Sequence, residues 1–573
     1  MHLFFAQSRL MTGLVLSVLV AAALWVRISS IGWDGYAGLH PDERHLLFVT
    51  QTILSALADP AYAGLSWYEW WYSDQSPLNP HLGAASYVYG EAPLLAGALL
   101  ARALGTTDWF AVMPVVRSLS SVVDVATMLG VFAGARLLAG PGSALVAAAL
   151  YAAMPSALQL SSFHTVDVWL AAACTGALVP MIALARGQGN VLAMATIAGG
   201  FIGLAMASKI TGVLMLAPGL VALGLAWRGG LTARQALVAT ACAVLALAIV
   251  FRLTNPFAFM GPGPLGVALS QDYITDFTGL ADVTASPDFP PNWQWIAGYG
   301  PLRLARDFAL FGFGPVAALL VLGLWRSVCA GTMVALGVVG VFVALTAISS
   351  VAALRYGAPA LPALAIALAP VIARLGGYSI IAVLVAALYW GSGMVRLHDG
   401  AHPRLLASHW LWALPRGTIL TNETGWDEHL PTIVRLQGDE RHRWPDHDDW
   451  FTMQVLDITD PDTPAKAIRW ANMLARTDVL ILSSDRQSAI MPRLPERFPM
   501  TTAHYDALLS GQACFAPVLV LDRGYPLPFW SLPDHWAQEP WRVYDHPIVR
   551  IFLREPCFSE ERYAAFLQDA LRN

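Results

Sequence analysis

The chain alternates long apolar segments with short turns that carry arginine, and this pattern leaves few folds open. A helix needs about 20 apolar residues to cross the hydrocarbon core of a bilayer. Segments of that kind fall at about 10–28, 115–135, 142–161, 167–185, 190–207, 210–227, 235–253, 307–325, 330–350, 356–373 and 377–395. About eleven transmembrane helices are therefore predicted. The 573 residues are 56% hydrophobic and 13% charged, too apolar for an ordinary soluble domain. No run rich in Lys and Arg points to nucleic acid.

Orientation follows from the basic residues. With the N-terminus inside, the inner turns hold Arg9, Arg136, Arg186, Arg228, Arg234, Arg326 and Arg374. Every predicted inner turn then carries arginine. The segment Tyr87–Leu104 would break this pattern if it spanned. It contains Glu91, Pro93 and Arg102 and is predicted to lie flat on the membrane as an amphipathic helix. The first apolar segment reads as a retained span, because Trp25-Val26-Arg27 is a poor cleavage context and only His2 and Arg9 precede the apolar run. These choices predict an inner or plasma membrane protein with a membrane domain over 1–395. Its outer loops fall at about 29–114 and 254–306, and residues 396–573 lie outside the cell membrane.

The C-terminal part changes character, becoming rich in Asp, Arg, His and Pro. Strand-length apolar runs appear at Thr418–Thr421, Val479–Ser483, Val518–Leu521 and Ile548–Leu553, with a helical stretch at Pro464–Ala475. This alternation predicts a small α/β domain. No glycine-rich phosphate loop is present. Of the five cysteines, Cys174, Cys242 and Cys329 sit in apolar segments. Cys514 and Cys557 lie in the polar part, where an extracytoplasmic setting would permit a disulfide.

The polar residues at span ends form a one-sided series. After the first span comes His40-Pro41-Asp42-Glu43-Arg44-His45. Arg117 opens the second span. Ser161-Ser162-Phe163-His164-Thr165-Val166-Asp167 separates the third and fourth, Ser208-Lys209 the fifth and sixth, and Arg355-Tyr356-Gly357-Ala358-Pro359 opens the tenth. All five sites fall on the predicted outer side. Ionised groups beside hydrocarbon are costly and tend to be kept for a function. Each also has a plainer reading: Asp42 and Glu43 as helix starters, Asp167 as a cap, Lys209 and Arg355 as interfacial anchors. Asp124, inside a span, reads as an internal hydrogen-bond partner. His40, Asp42 and His45 could hold a divalent metal, but His-x-Asp-x-x-His has no established geometry, and no cofactor is expected.

This set resembles the phospholipid-carrier-dependent members of glycosyltransferase family 39, which have the GT-C membrane fold and include protein O-mannosyltransferases and the aminoarabinose transferase of lipid A. The resemblance covers the membrane part. It rests on Asp42-Glu43, Pro93-Leu94-Leu95, Arg117, Asp167, Lys209 and Arg355-Tyr356 with Pro359. Pro290-Pro291-Asn292-Trp293-Gln294-Trp295, Glu423-x-x-Trp426-Asp427 with Leu430-Pro431, Ser483-Ser484-Asp485-Arg486 and Tyr544-Asp545-His546-Pro547 look like a bacterial branch of it. The 290–295 stretch is expected either to cover a donor cleft or to form an interfacial aromatic belt.

The resemblance implies inverting transfer of a hexosyl or pentosyl group from a polyprenyl-phosphate donor, on the extracytoplasmic side. The acceptor would be a hydroxyl or similar nucleophile on a protein, lipid or polysaccharide. Asp42 would be the general base, with Glu43 beside it and Asp167 also needed. Lys209 and Arg355, with Tyr356, Arg117 and His164, would bind substrate. A lipid or precursor flippase is the alternative; it calls for charges near the bilayer midplane and for broken helices. A receptor or scaffold would leave the one-sided series of charges unused.

Overall fold

The computed structural model describes all residues except 1, 85, 262, 297–299, 424–429, 431–433, 436–441, 444–449 and 573. Among the described residues, eight helices are long and apolar enough to cross a bilayer. They include Arg9–Ser29, Trp109–Ala139, Val166–Ala185, Val191–Ser208 and Ala233–Thr254. The Trp109–Ala139 helix has 31 residues, about 46 Å at 1.5 Å per residue, so its first turns can lie beyond a hydrocarbon core of about 30 Å.

Three expected spans differ in form. The 142–161 and 307–325 segments are bent pairs, Pro141–Ala152 with Pro155–Ser161 at 64° and Pro301–Gly312 with Pro315–Arg326 at 116°. Each second helix starts on a proline, which lacks an N–H and clashes with a preceding helical turn. The breaks are tied to neighbouring donors. Ser156 Oγ donates to Phe311 O at 3.0 Å, and Trp390 Nε1 donates to Leu310 O at 2.7 Å. Backbone groups released inside a membrane need such partners. The 356–373 segment is a short 3-10 turn, Leu354–Gly357, followed by the 13-residue helix Ala360–Ile372, which reaches only about 20 Å.

The Tyr87–Leu104 segment contains the helix Glu91–Ala103, which is too short to span. Within the bundle, Arg27 pairs with Asp124 at 2.5 Å, and Tyr151 OH donates to the other Asp124 oxygen at 2.5 Å. Asp124 is thus an internal partner that joins three helices.

The chain forms two compact units. The first comprises Met1–Ile31, Asp42–Ala285 and Pro301–Val395; the second comprises Gly32–Pro41, Ser286–Gly300 and Arg396–Asn573. The second is built on a five-stranded mixed sheet of Ile419–Glu423 (β1), Thr452–Leu456 (β2), Val479–Leu482 (β3), Phe515–Leu521 (β4) and Val549–Arg554 (β5), in the order β2-β1-β3-β5-β4. β1 is parallel to β2 and β3, and β5 is antiparallel to β3 and β4. Leu420, Val479, Ile481 and Ile551 pack with Ala407 and Leu411 of the helix Pro403–Leu411. Leu480, Leu482 and Phe552, one residue out of phase, pack with Trp470, Tyr505 and Leu567 of three other helices. The period of two along a strand separates the two layers. β2 escapes the sequence reading because Thr-Met-Gln-Val-Leu, although it alternates, is only five residues long and follows a polar run.

Trp293 corrects another expectation. It is 2% exposed, packs on Phe498 at 4.8 Å between ring centres, and lies under the Arg497 guanidinium. Trp293 is therefore part of the core of the second unit rather than of an interfacial aromatic belt. A Trp ring buries a large apolar area, and its packing on Phe498 adds an aromatic pair to that burial. Cys514 and Cys557 are joined as a disulfide, with Cα atoms 5.7 Å apart.

Candidate active site

The helix Pro41–Ala58 begins with proline at its first position and carries both Asp42 and Glu43 in its first turn. Carboxylates there face free N–H groups and the positive end of the helix dipole. Successive helical residues point about 100° apart, and these two side chains have separate surroundings.

Glu43 turns inward. It accepts from Arg117 Nε at 2.8 Å and from Arg117 Nη2 at 2.6 Å, and its Oε1 also accepts from the His164 backbone N–H at 2.7 Å. Arg117 Nη1 donates to Ile31 O at 2.6 Å. Both charged side chains are fully buried. His164 is buried too, with Nδ1 3.3 Å from Ser120 Oγ. Glu43 and Arg117, with the His164 backbone N–H, form an internal brace. A fully buried carboxylate needs its cation and its hydrogen bonds, and these three residues use one another for that purpose.

Asp42 turns the other way and pairs with Arg355 Nη1 at 2.8 Å. Asp167, in the first turn of Val166–Ala185, accepts from Lys209 Nζ at 2.8 Å. The Lys209 ammonium also lies 4.6 Å from the centre of the Tyr356 ring, and the Arg355 guanidinium 5.9 Å from it. Two carboxylate–cation pairs thus share one aromatic ring. Asp42, Arg355 and Lys209 remain 18 to 20% exposed at the side chain, so solvent or substrate can reach them. Asp167 is 1% exposed, and its Oδ2 has no hydrogen-bond partner among the described residues. Thr165 Oγ1 and His164 Nε2, on the same turn, are likewise buried without a partner among those residues. Buried polar atoms left this way are costly and mark a place for a ligand or water.

Tyr89 is a residue the sequence reading missed. Burial, with the fields of Asp42 and Asp167, pushes its phenol well above the usual value, against the pull of Arg355. Its segment is pressed against the end of the Val191–Ser208 helix. Gly90 N–H donates to Ser208 O at 3.1 Å, and a Cβ on Gly90 would lie 2.0 Å from Ala207 O. The glycine between Tyr89 and Glu91 was the available signal. His45 lies with its ring 6.0 Å from both Tyr87 and Tyr89. Burial lowers its pKa against the opposing pull of Asp42 and Asp276.

Among the described residues, no group of three His, Cys, Asp or Glu side chains is placed to hold a metal. His40 belongs to the second unit, where it packs on Tyr544 at 4.2 Å between ring centres. Also in that unit, Glu423 accepts from Tyr505 OH at 2.6 Å, His546 pairs with Asp534 at 2.7 Å, and Asp485 pairs with Arg542. Trp426, Asp427 and Pro431 lie outside the described residues.

Residues 98–254 match the family described as dolichyl-phosphate-mannose-protein mannosyltransferase. That stretch holds Arg117, His164, Asp167 and Lys209. No curated protein matches in sequence. Among solved structures, ArnT from Cupriavidus metallidurans in the apo state is similar at 18% identity, over 70% of this chain and 66% of its own, with a TM-score of 0.46. The oligosaccharyltransferase of Archaeoglobus fulgidus is similar at 14% identity, over 91% of this chain and 75% of its own, with a TM-score of 0.48. The arabinofuranosyltransferase AftD from Mycobacteria is similar at 16% identity, over 95% of this chain but 42% of its own, with a TM-score of 0.43. The chain thus spans just under two thirds of ArnT and less than half of AftD.

Two predictions follow from the brace and its surroundings. Arg117→Ala strands a buried carboxylate and should cost about 3–5 kcal/mol of stability, whereas Asp42→Asn, at a partly exposed pair, should change it by less than about 1 kcal/mol. Thermal unfolding in detergent measures both; an Arg117→Ala protein as stable as the parent contradicts the brace. Glu91 gives the second. Burial pushes its carboxyl up from 4.5 to about 8, against its hydrogen bond from Phe257 N–H. The folded state therefore holds this proton more tightly than the unfolded chain. Its stabilising effect is full below pH 4.5 and is lost as pH rises through about 8. Glu91→Gln should flatten that decline in thermal midpoint, and parallel curves for variant and parent would count against it.

Proposed function

We propose that the chain is a membrane glycosyltransferase that moves a sugar from a polyprenyl-phosphate donor to an acceptor nucleophile on the extracytoplasmic side, with inversion at the anomeric carbon. The observation that carries this reading is the pairing of Asp42 with Arg355 and Asp167 with Lys209 around Tyr356. The family match over 98–254 supports the donor class, and the arginines of the predicted inner turns support the side.

The acceptor oxygen attacks C1 of the sugar while the C1–O bond to phosphate breaks. The acceptor proton passes to Asp42, and the polyprenyl phosphate leaves with one more negative charge than it had as a diester. Arg355 and Lys209 then meet a stronger anion than before. Fixed cations that bind the leaving phosphate more tightly than the ground-state diester lower the barrier. Where Arg355 turns its charge toward the phosphate, its hold on Asp42 weakens and Asp42 becomes the better proton acceptor. Asp167 Oδ2, buried and unpartnered among the described residues, is available to an acceptor hydroxyl. Tyr356 gives both cations a polarisable wall that holds them without neutralising them.

The flippase alternative gains no support from the bent helices. The residues at the two breaks, Ala153-Met154 and Phe313-Gly314, are apolar or carry no side chain and offer no site for a charged headgroup.

Asp42→Asn should lower turnover by about 10²–10⁴-fold with little change in donor affinity. Arg355→Ala and Lys209→Ala should weaken donor binding as well as turnover. Single-turnover rates and donor binding, measured on each variant in detergent, separate the roles. Weaker donor binding by Asp42→Asn with unchanged turnover would remove Asp42 from the role of base.

A further inference from the structure

The outer end of the Ala233–Thr254 span carries a structure that the proposed reaction does not use. The helix Trp67–Tyr72, from the first loop, meets the hairpin of Phe259–Met260 and Ala268–Leu269, which follows the span directly. Trp71 Nε1 donates at 2.9 Å to Leu253 O, one of the carbonyls that the end of a helix leaves open.

Arg252 knits the parts together. Its guanidinium lies between the rings of Tyr72 at 5.0 Å and Phe259 at 4.9 Å. It donates to the carbonyls of Gly266, Pro256 and Gly263 at 2.8 to 3.1 Å. Gly263 has φ +76°, and a Cβ there would lie 1.9 Å from Tyr68 OH, so the two elements are closely fitted. Glu69 is occupied in capping its own helix through Ser66.

This closely fitted piece nevertheless presents an apolar surface. Leu265 is 88% exposed, Trp67 77% and Val267 69%, with Met260, Leu269 and Tyr68 also exposed. A soluble loop built so tightly would bury some of these. The span that leads into the hairpin also exposes Leu245, Ile249 and Leu253, at steps of four residues along one helical face, and Trp71 is bonded to the carbonyl of the last of them. That face is lipid-facing if the helix spans. At 22 residues the helix is about 33 Å long, so Leu253 reaches the edge of the hydrocarbon. Aromatic and aliphatic side chains beyond that edge, with a buried arginine behind them, match the chemistry of the headgroup–acyl boundary.

We propose that the Trp67–Tyr72 helix and the hairpin after the Ala233–Thr254 span form a wedge seated in the outer lipid interface. The proposal rests on the reading of the first unit as membrane-spanning and is independent of the reaction. The wedge is also linked to the candidate site. Phe257 N–H donates to Glu91, and Glu91 N–H donates to Asn255 Oδ1 at 2.8 Å, beside the Gly90 contact with Ser208. A wedge held in the interface would therefore fix the segment that carries Tyr89.

The test places one environment-sensitive fluorophore at Leu265→Cys, and separately at Trp67→Cys, in full-length protein with Cys174, Cys242 and Cys329 replaced by alanine, reconstituted in phospholipid nanodiscs. Leu245→Cys is the lipid reference and the glutathione-bound dye the water reference. Thermal unfolding confirms that each labelled protein is folded. Emission shifted to the blue, and quenched by shallow spin-labelled lipids more strongly than at Leu245, which lies about 12 Å deeper than Leu253, is expected at both sites. Water-like emission with no lipid quenching overturns the wedge. Blue-shifted emission that lipid does not quench overturns it too, since a second protein surface would then cover the patch. Neither reading depends on glycosyl transfer.

Discussion

The bidentate ion pair between Glu43 and Arg117 holds the candidate site in register. It is fully buried, and it ties together the start of Pro41–Ala58, the long Trp109–Ala139 helix, the end of the first span through Ile31, and the turn that leads into Val166–Ala185. Asp42 is the neighbour of Glu43, and Asp167 lies three residues after His164. The brace fixes two carboxylates that must face the same space without being bonded to each other. Rigid supporting contacts of this kind are what orient reacting groups at low entropic cost.

On that brace stand two weaker, more accessible pairs. Asp42 with Arg355 and Asp167 with Lys209 are partly open to solvent through three of their four members. A buried pair resists exchange of partners, because separating it strands a charge. A partly exposed pair exchanges more readily, and a phosphate can enter where a carboxylate was. The contrast between the closed brace and the open pairs separates residues that build the site from those proposed to act in it. One ion pair of each kind involves the adjacent residues Asp42 and Glu43.

Much of the architecture was legible because hydrocarbon sets hard lengths. Runs of about 20 apolar residues announce themselves, and each of the eleven expected segments is helical. The breaks near Pro155 and Pro315 were legible in principle, since proline at those positions interrupts a helix, but hydropathy averages over them. The short Ala360–Ile372 helix was hidden for the same reason. At the site, charge position along the chain revealed which residues gather at one predicted side, not which of them pair. Glu43 and Asp42 are indistinguishable in sequence; only the helical turn between them assigns one to the interior. Tyr89 carried no charge to draw notice. Trp293 was read as part of a cleft cover or an interfacial belt, because aromatics beside prolines do not announce a core; its packing on Phe498 shows one.

The central claim is that the paired charges around Tyr356 release a sugar from a polyprenyl phosphate. The most direct measurement is formation of free polyprenyl phosphate by purified protein, across a panel of polyprenyl-phosphate sugars with a membrane extract as acceptor, with Asp42→Asn of matched stability beside it. The account predicts release from at least one donor by the parent and little by the variant. Equal release by both proteins, or no binding of any donor by the parent, would contradict it.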